Sequence, residues 1–408
     1  MITQREPADC ELPAPEAAAT ASAAPLGNNA DFIPTPSPAA PVLLPPSTVK
    51  AWYLRSLGRD ILKKHGVERR MRWCGSRIAP KERGVDVFAR PDRAYGRVAG
   101  VCVCGQSICC PVCAPRIAAF RAAEIGEAFK RARDAGFDAR LETFTKPHAL
   151  DTRPNALTVE IGRFRDLWKK YMKHADRRER GTEGHHLGRE VNFGQRNGWH
   201  YHHHRLRYDR PDSFDQERAR AQWLAVLDGA GLWSPGAEIH AYDCGDVDDE
   251  AGAKYCAKLA LNVDAQARSI GSELASAGTK GRSINMLLGD YARGDLNAGV
   301  TWLNGVSCVT AGKVSSVRWS KGLRWKLGMS EEKSDEQIAA EEVVESDVYL
   351  GALNAHQWRG VLKWRAEFCL CVAANKGRDA VNEFLSGLEL GELKDDLPEP
   401  VFSKKRGR

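Results

Sequence analysis

The run NGWHYHHHRLRY, residues 197–208, restricts what this chain can fold into more than any other stretch. Side chains of an extended strand alternate between two faces, so His200, His202 and His204 form one row and Tyr201, His203 and Arg205 the other. Two imidazoles on one face, two residues apart, can share a metal ion. An isolated histidine run has a blander reading, as a solvated loop or an adventitious metal binder. The flanks favour the strand. Asn197-Gly198 is the dipeptide of a tight hairpin, because both residues tolerate positive φ, and Arg189-Glu190-Val191-Asn192-Phe193 just before it reads as the extended partner.

Upstream, Cys102, Cys104, Cys109, Cys110 and Cys113 crowd into twelve residues. Thiolates separated by two residues, as in Cys110-Pro-Val-Cys113, can wrap one zinc ion, which prefers four sulfur or nitrogen ligands in a closed tetrahedron. Cys104 is the first choice for the other side. The fourth place goes to Cys102, with Cys109 and the distant Cys74 competing. A structural zinc is expected, one that fixes the start of the next helix and orients Arg116 and Arg121 towards DNA, with an iron–sulfur cluster or buried thiols as the alternatives. Twelve cysteines in a chain with no secretory leader pattern point to metal ligation or free thiols rather than disulfides. That pattern, together with the lack of a long apolar run, makes a cytoplasmic protein with no membrane partner the expectation.

Charge is distributed unevenly. Residues 51–210 carry 34 Lys and Arg against 18 Asp and Glu, whereas residues 211–408 carry 24 against 30. Phosphate neutralisation supplies most sequence-independent affinity for nucleic acid, so DNA or RNA is the leading partner. Residues 1–48, rich in Ala and Pro, hold too few large apolar groups to offset chain entropy and are read as disordered. Apolar spacing predicts helices from near Lys50 with a basic exposed face, over Ala114–Ala135 with Gly136 as its stop, from Leu157, near 215–228, and from Asp249 to Leu261. Alternation predicts strands over 139–145 and in AEIHAYDC, residues 237–244. The pattern is that of an α+β domain around a largely antiparallel sheet. RWSKGLRWKLG, residues 318–328, either stacks its Trp side chains on bases or packs them on the core. A helical C-terminal region and a basic tail close the chain.

The Cys cluster, the TFT strand, the GWHYHHH row and AKYCAKLAL, in this order, resemble rolling-circle replication initiator (Rep) proteins of bacterial plasmids. These belong to the HUH endonuclease superfamily. The resemblance covers about residues 70–330 and rests on order and spacing, since each motif is short. With it the chain divides into a basic region with a Cys-rich zinc element over 49–120, an HUH endonuclease catalytic domain over 121–265 and a Rep-type extension over 266–330, followed by the helical region over 331–408 that apolar spacing predicts. It also implies that His202 and His204 are paired ligands of a catalytic Mn or Mg ion, with His203 where a hydrophobic residue is usual. Tyr255 matches the nucleophile and Lys258 the lysine one helical turn later. Such an enzyme nicks one DNA strand at an origin, forming a 5′-phosphotyrosine link and leaving a 3′-hydroxyl from which host polymerase and helicase proceed. Family members place a glutamate four residues before the tyrosine to activate the water that ends a round. Here that position is Ala251, and Glu250, five residues before, is the candidate.

The third metal ligand has three candidates, Glu190 first, then His200 and Gln195. A strict two-residue Asn197-Gly198 hairpin would pair Glu190 with Arg205 and turn it away from His202, so Glu190 requires a bulge or longer loop. Relaxases and single-strand transposases would use the same residues, and a zinc-stabilised DNA-binding regulator without nuclease activity is the alternative of a different class.

Overall fold

The two central strands are joined by three residues, Gln195-Arg196-Asn197, and the next, Gly198, sits at φ +71° opposite Gly194. A turn followed by a left-handed glycine is the usual three-residue hairpin closure. Gly198 also lies where a Cβ would meet the backbone of Leu150 and Asp151 at 3.2 Å, so no other residue suits the position. Relative to a two-residue loop the register moves by three, an odd number, and every side chain of one strand changes face relative to the other. Glu190 therefore stands opposite His202 and not Arg205.

The computed structural model describes residues 46–66, 69–80, 82–173, 181–233, 236–248, 282–340 and 346–395, within a unit running Leu43–Arg408. It contains the strands β1 (Val85–Ala89), β2 (Arg97–Ala99), β3 (Asp138–Phe144), β4 (Thr182–Gly194), β5 (Gly198–Asp209), β6 (Tyr242–Asp246), β7 (Arg282–Ser283), β8 (Val317–Trp319) and β9 (Val348–Leu353). The larger sheet has the order β6-β3-β5-β4-β7 with β8 also paired to β4, all antiparallel. Helices flank it, as an α+β arrangement requires.

Each face of this sheet has its own cover. On one, Phe144 sits among Trp168, Tyr171, Trp223 and Tyr242 at ring-centroid distances of 5.0–5.4 Å, the first three brought there by the helices Ala156–Met172 and Gln216–Asp228 and the last by β6. Aromatic pairs of this kind contribute about 0.5–1.5 kcal/mol each beyond their buried area. The second helix starts where expected, with the Asp215 carboxylate accepting from the Arg218 amide. On the opposite face Ala139, Leu206, Tyr208 and Val317 pack against Ala114, Ala118, Ile125 and Phe129 of the helix Cys113–Asp134, which Gly136 terminates at φ +79°. That helix covers only part of its face and leaves the His200–His204 end of β5 to other neighbours.

Four sequence expectations need correction. AEIHAYDC is not one strand: Ala237–Ala241 forms a short helix, and the strand begins at Tyr242. The first helix, Pro46–Lys64, does not present an all-basic outer face, since Arg55 and Arg59 are buried, reaching the Gly75 carbonyl and, for Arg59, the Glu367 carboxylate. The C-terminal region is not purely helical. Its strand β9 pairs with β1, so residues more than 250 positions apart complete the three-stranded sheet β2-β1-β9. Its Trp358 indole donates to the Ser76 carbonyl at 2.7 Å, tying that region to the stretch containing Cys74. Finally, Arg116 and Arg121, expected to point towards DNA from the helix beside the Cys cluster, face inward. Arg121 binds Glu124, Glu332 and Asp335, and Arg116 the Ala339 carbonyl. Among the described residues no helix is long and apolar enough to cross a membrane.

Candidate metal centres

Two groups of metal-ligating side chains converge among the described residues, one on the central strands and one at the start of a helix. In the first, Oε2 of Glu190 lies 2.8 Å from Nε2 of His202 and 3.1 Å from Nε2 of His204. A divalent ion ~2.1 Å from each of two ligand atoms at right angles separates them by about 3.0 Å, so the donor atoms stand at coordination spacing. The longer hairpin loop produces this arrangement. With Glu190 directly across from His202, the two side chains share a face, and His204 follows two residues on.

Neighbours hold the three ligands in place. Asn192 donates to the second Glu190 oxygen at 2.7 Å, and the Thr143 hydroxyl lies 3.0 Å from Nδ1 of His204. A partner on the far ring nitrogen fixes which nitrogen is left for a metal. Burial opposes charge on Glu190, but the His202 and His204 rings outweigh it and hold the carboxylate well below its usual range. Burial also lowers the His204 imidazole, so it favours the neutral, metal-ready form. The donor set, one carboxylate and two imidazoles on rigid strands, suits a divalent ion with open positions. His200 stands outside the converging group, and Gln195 lies in the hairpin loop. His200 instead stacks between His202 at 4.5 Å and His148 at 4.4 Å. Burial drives its imidazole down to about 3, with the adjacent His202 and His148 acting the same way.

His203 turns to the other face, as alternation requires. It does more there than sequence suggests, packing at 4.4 Å from Phe164 and 5.1 Å from Trp168 while its Nε2 meets the Tyr201 hydroxyl at 3.2 Å. Beside it runs a buried ionic chain in which Glu142 accepts from Arg205 at 2.6 Å and from the Tyr242 hydroxyl at 2.7 Å. These groups belong to the core that keeps β3 and β5 in register.

The second centre is made by Cys74, Cys104, Cys110 and Cys113. Sulfur separations are 3.3 Å for Cys74–Cys113 and 3.7 Å for both Cys104–Cys113 and Cys110–Cys74. Four sulfurs ~2.3 Å from a tetrahedral ion lie about 3.8 Å apart, whereas a disulfide needs about 2.05 Å, so the group has the spacing of a ligand set. The other three thiols stabilise Cys113 as a thiolate, well below its ordinary value, at the N-terminus of the helix it opens. Burial pushes Cys110 up. The expectation for Cys102 is corrected. Its backbone bonds to Gly75 and Arg77, and its thiol points at the Ile78 carbonyl, away from the other sulfurs. Cys109 is buried nearby and outside the group. Cys74 lies thirty residues before Cys104, and pairing of Ile78 with Val101 folds the chain back to deliver it.

Tyr255, Lys258 and Glu250 lie outside the described residues, and so does the expected helix Asp249–Leu261. Asn192, Thr143 and His148 were not singled out in the sequence. Asn192 carried a usable signal, a polar residue two positions from Glu190 and therefore on the same strand face. Comparison with protein-family models, with curated proteins and with solved structures finds no match.

Proposed function

We propose that this protein is an HUH-type, metal-dependent DNA nickase and ligase that initiates rolling-circle replication. The observation that carries the reading is the convergence of Glu190, His202 and His204 at the centre of an antiparallel sheet, with half-buried neighbours orienting two of the three. Glu190, His202 and His204 would hold a divalent ion, Mn or Mg, which would supply positive charge to stabilise the scissile phosphate. Glu190, His202 and His204 hold that charge at a fixed point on the sheet, and Asn192 and Thr143 keep the carboxylate and one imidazole aimed. Tyr255 is the nucleophile. Its oxygen forms a bond to phosphorus as the bond from phosphorus to the 3′ oxygen breaks, the phenol proton is lost, and the departing oxygen takes up a proton to become the 3′-hydroxyl. An unperturbed phenol ionises near pH 10, so Lys258 beside the forming phenolate favours attack at neutral pH. Glu250 is the candidate base for the water that ends a round. The Cys74, Cys104, Cys110 and Cys113 group holds zinc and serves structure.

The test is covalent capture. Purified protein with Mn²⁺ is incubated with supercoiled plasmid and with a random-sequence pool of single-stranded oligonucleotides, then denatured in detergent. A protein–DNA adduct in the parent and none in Tyr255→Phe is expected. Nicking without an adduct, or an adduct undiminished in Tyr255→Phe, would overturn the tyrosine mechanism. DNA binding with neither nicking nor adduct would leave the zinc-stabilised regulator.

A further inference from the structure

A second feature lies beyond the Glu190 site and outside the mechanism above. A cleft of about 810 Å³ opens beside the loop that joins Cys104 to Cys110, with β8 and the end of the helix Leu296–Ala311 as one wall and the segment from Glu332 to Gln337 as the other. Its acidic side is already neutralised. Arg121 binds Glu332 at 3.3 Å and Asp335 at 3.0 Å, and Arg70 lies 3.5 Å from Glu336. The facing wall carries Lys313 and Arg318, both exposed and neither in an ion pair among the described residues. Two cations thus face a cavity whose carboxylates have their own partners.

The floor adds one uncommitted polar group. The Trp319 side chain lines it, and the buried indole N–H has no acceptor among the described residues. Indole N–H is a donor only, so an orphan of this kind matches a ligand that brings acceptor oxygens. Arg324 lies over the Trp319 ring at 4.5 Å and His186 packs on it at 4.1 Å, so stacking by a base is not what Trp319 offers. Donors and cations without a free aromatic face describe a site for phosphate oxygens.

The cleft is also wired to both metal centres. Ser107, within the Cys104–Cys110 loop, accepts from the Ser316 amide at 3.0 Å, and the Ser316 carbonyl accepts from the amide of Arg189, the neighbour of Glu190, at 2.8 Å. The Arg189 guanidinium reaches Ser315 at 3.1 Å. We infer that this cleft binds the phosphodiester backbone of single-stranded DNA through Lys313, Arg318 and the Trp319 indole, positioning the strand relative to the Glu190 site. The inference rests on the DNA-processing reading for its choice of phosphodiester source. It also explains why RWSKGLRWKLG combines tryptophan with cations.

The experiment measures binding of a fluorescein-labelled dT20 oligonucleotide by anisotropy, with no Mn²⁺ or Mg²⁺ added, so that nicking plays no part. Lys313→Ala/Arg318→Ala is compared with Lys169→Ala/Lys170→Ala, two exposed lysines of the helix Ala156–Met172 whose replacement removes the same charge. Melting temperature and zinc content check that each protein is folded, and Lys313→Gln and Arg318→Gln singly give the same readout should the pair misfold. The cleft pair should weaken binding by about tenfold or more and lower the log–log salt slope by about 1.4, or 0.7 for each lost phosphate contact, while the control pair changes little. Equal loss in the two pairs would overturn the inference by making the effect one of net charge. Unlabelled dT20 should displace the probe better than duplex of equal length, inorganic phosphate or polyglutamate, and displacement as good by any of these would also overturn it. Nicking by the parent with dT20 binding indifferent to the cleft pair sinks the cleft alone. Cleft-dependent binding without any nicking sinks the nickase alone.

Discussion

Glu190 faces His202 across the β4–β5 hairpin, its Oε2 2.8 Å from the imidazole Nε2, and Asn192 holds its other oxygen at 2.7 Å. The pair exists because the loop has three residues, and a two-residue loop would have put Arg205 there. This relationship orders the effects of substitution. Glu190→Gln keeps the shape and loses the charge, so Mn²⁺ binding and adduct formation should be abolished with the fold intact. Asn192→Ala only frees the carboxylate and should weaken Mn²⁺ binding about tenfold, the lower end for groups that orient a ligand. Calorimetric Mn²⁺ titration of both variants gives the comparison, and equal loss would mean that Asn192 is itself a ligand.

His203 separates metal binding from packing within one histidine row. Its ring fills space against Phe164 and Trp168, so His203→Ala should cost ~2–4 kcal/mol of stability, as for other large-to-small core changes. Its Mn²⁺ affinity per folded molecule should equal the parent's. Urea unfolding and Mn²⁺ titration on one preparation would test both halves, and a stable variant with lost Mn²⁺ binding would place His203 in the metal site.

The alternation of the histidine row, the helices on either side of it and three of the four clustered cysteines could be read from local spacing. What could not be read depends on distant partners. Asn197-Gly198 carries the propensity of a two-residue turn, yet Gly198 serves as the left-handed residue after a longer one, and one-dimensional propensity does not distinguish these. Cys74 stands alone in RMRWCGS, and only the pairing of Ile78 with Val101 brings it to the other three. Arg55 and Arg59 read as a solvated face because their acceptors, the Gly75 carbonyl and the Glu367 carboxylate, are supplied from elsewhere in the chain. The short helix in AEIHA went unread because alternation over a few residues also fits one helical turn and a half.

The two tryptophans of the segment 318–328 differ in exposure. Trp319 is packed by His186 and Arg324, whereas Trp325 is 83% exposed. Trp319→Ala should lower stability by ~3 kcal/mol, and Trp325→Ala should change it by no more than about 0.5 kcal/mol. An exposed indole is free to stack, so Trp325→Ala should also weaken dT20 binding by about 1 kcal/mol or more. Chemical denaturation and anisotropy read these separately, and unchanged dT20 affinity would leave Trp325 without a role in DNA binding.

Acid should destabilise the protein through its buried neutral histidines. His186 is enclosed beneath Trp319, with Nε2 3.1 Å from the Tyr208 hydroxyl, and burial first, then the charges of His185 and Arg324, lower it to about 3. In the unfolded chain it titrates near 6.5, so between these values the unfolded state binds the extra proton. Its contribution is therefore complete above pH 6.5 and shrinks as pH falls towards 3, by about 1.4 kcal/mol per unit. Between pH 7 and pH 5 the loss is about 2 kcal/mol. His186→Phe should be less stable at pH 7, because the contact of the Tyr208 hydroxyl with the His186 ring is lost, yet its stability should fall by that much less over the same interval. Urea unfolding at the two pH values gives the slope, and identical slopes would mean that the ring is charged in the folded protein.

Cys74 and Cys102 offer the clearest test of the second metal centre, because sequence spacing favours one and the structure the other. Both lie close to the turn made by Gly75 and Arg77, and either could be supposed to complete a set with Cys104, Cys110 and Cys113. Only the Cys74 sulfur comes within 3.3 Å of Cys113 and 3.7 Å of Cys110, while the Cys102 thiol points to the Ile78 carbonyl at 3.7 Å. Zinc held by four cysteines contributes its binding free energy to folding, so removing a true ligand should lower metal content and stability together. Cys74→Ser should fall well below one zinc per chain and melt at lower temperature, and Cys102→Ser should keep its zinc and nearly all its stability. The Cys110 amide-linked turn, in which the Cys113 amide donates to the Cys110 sulfur at 3.4 Å, should loosen in the first variant and not in the second. Elemental analysis with thermal melting decides it, and zinc retained in Cys74→Ser but lost in Cys102→Ser would restore the ligand set expected from spacing alone.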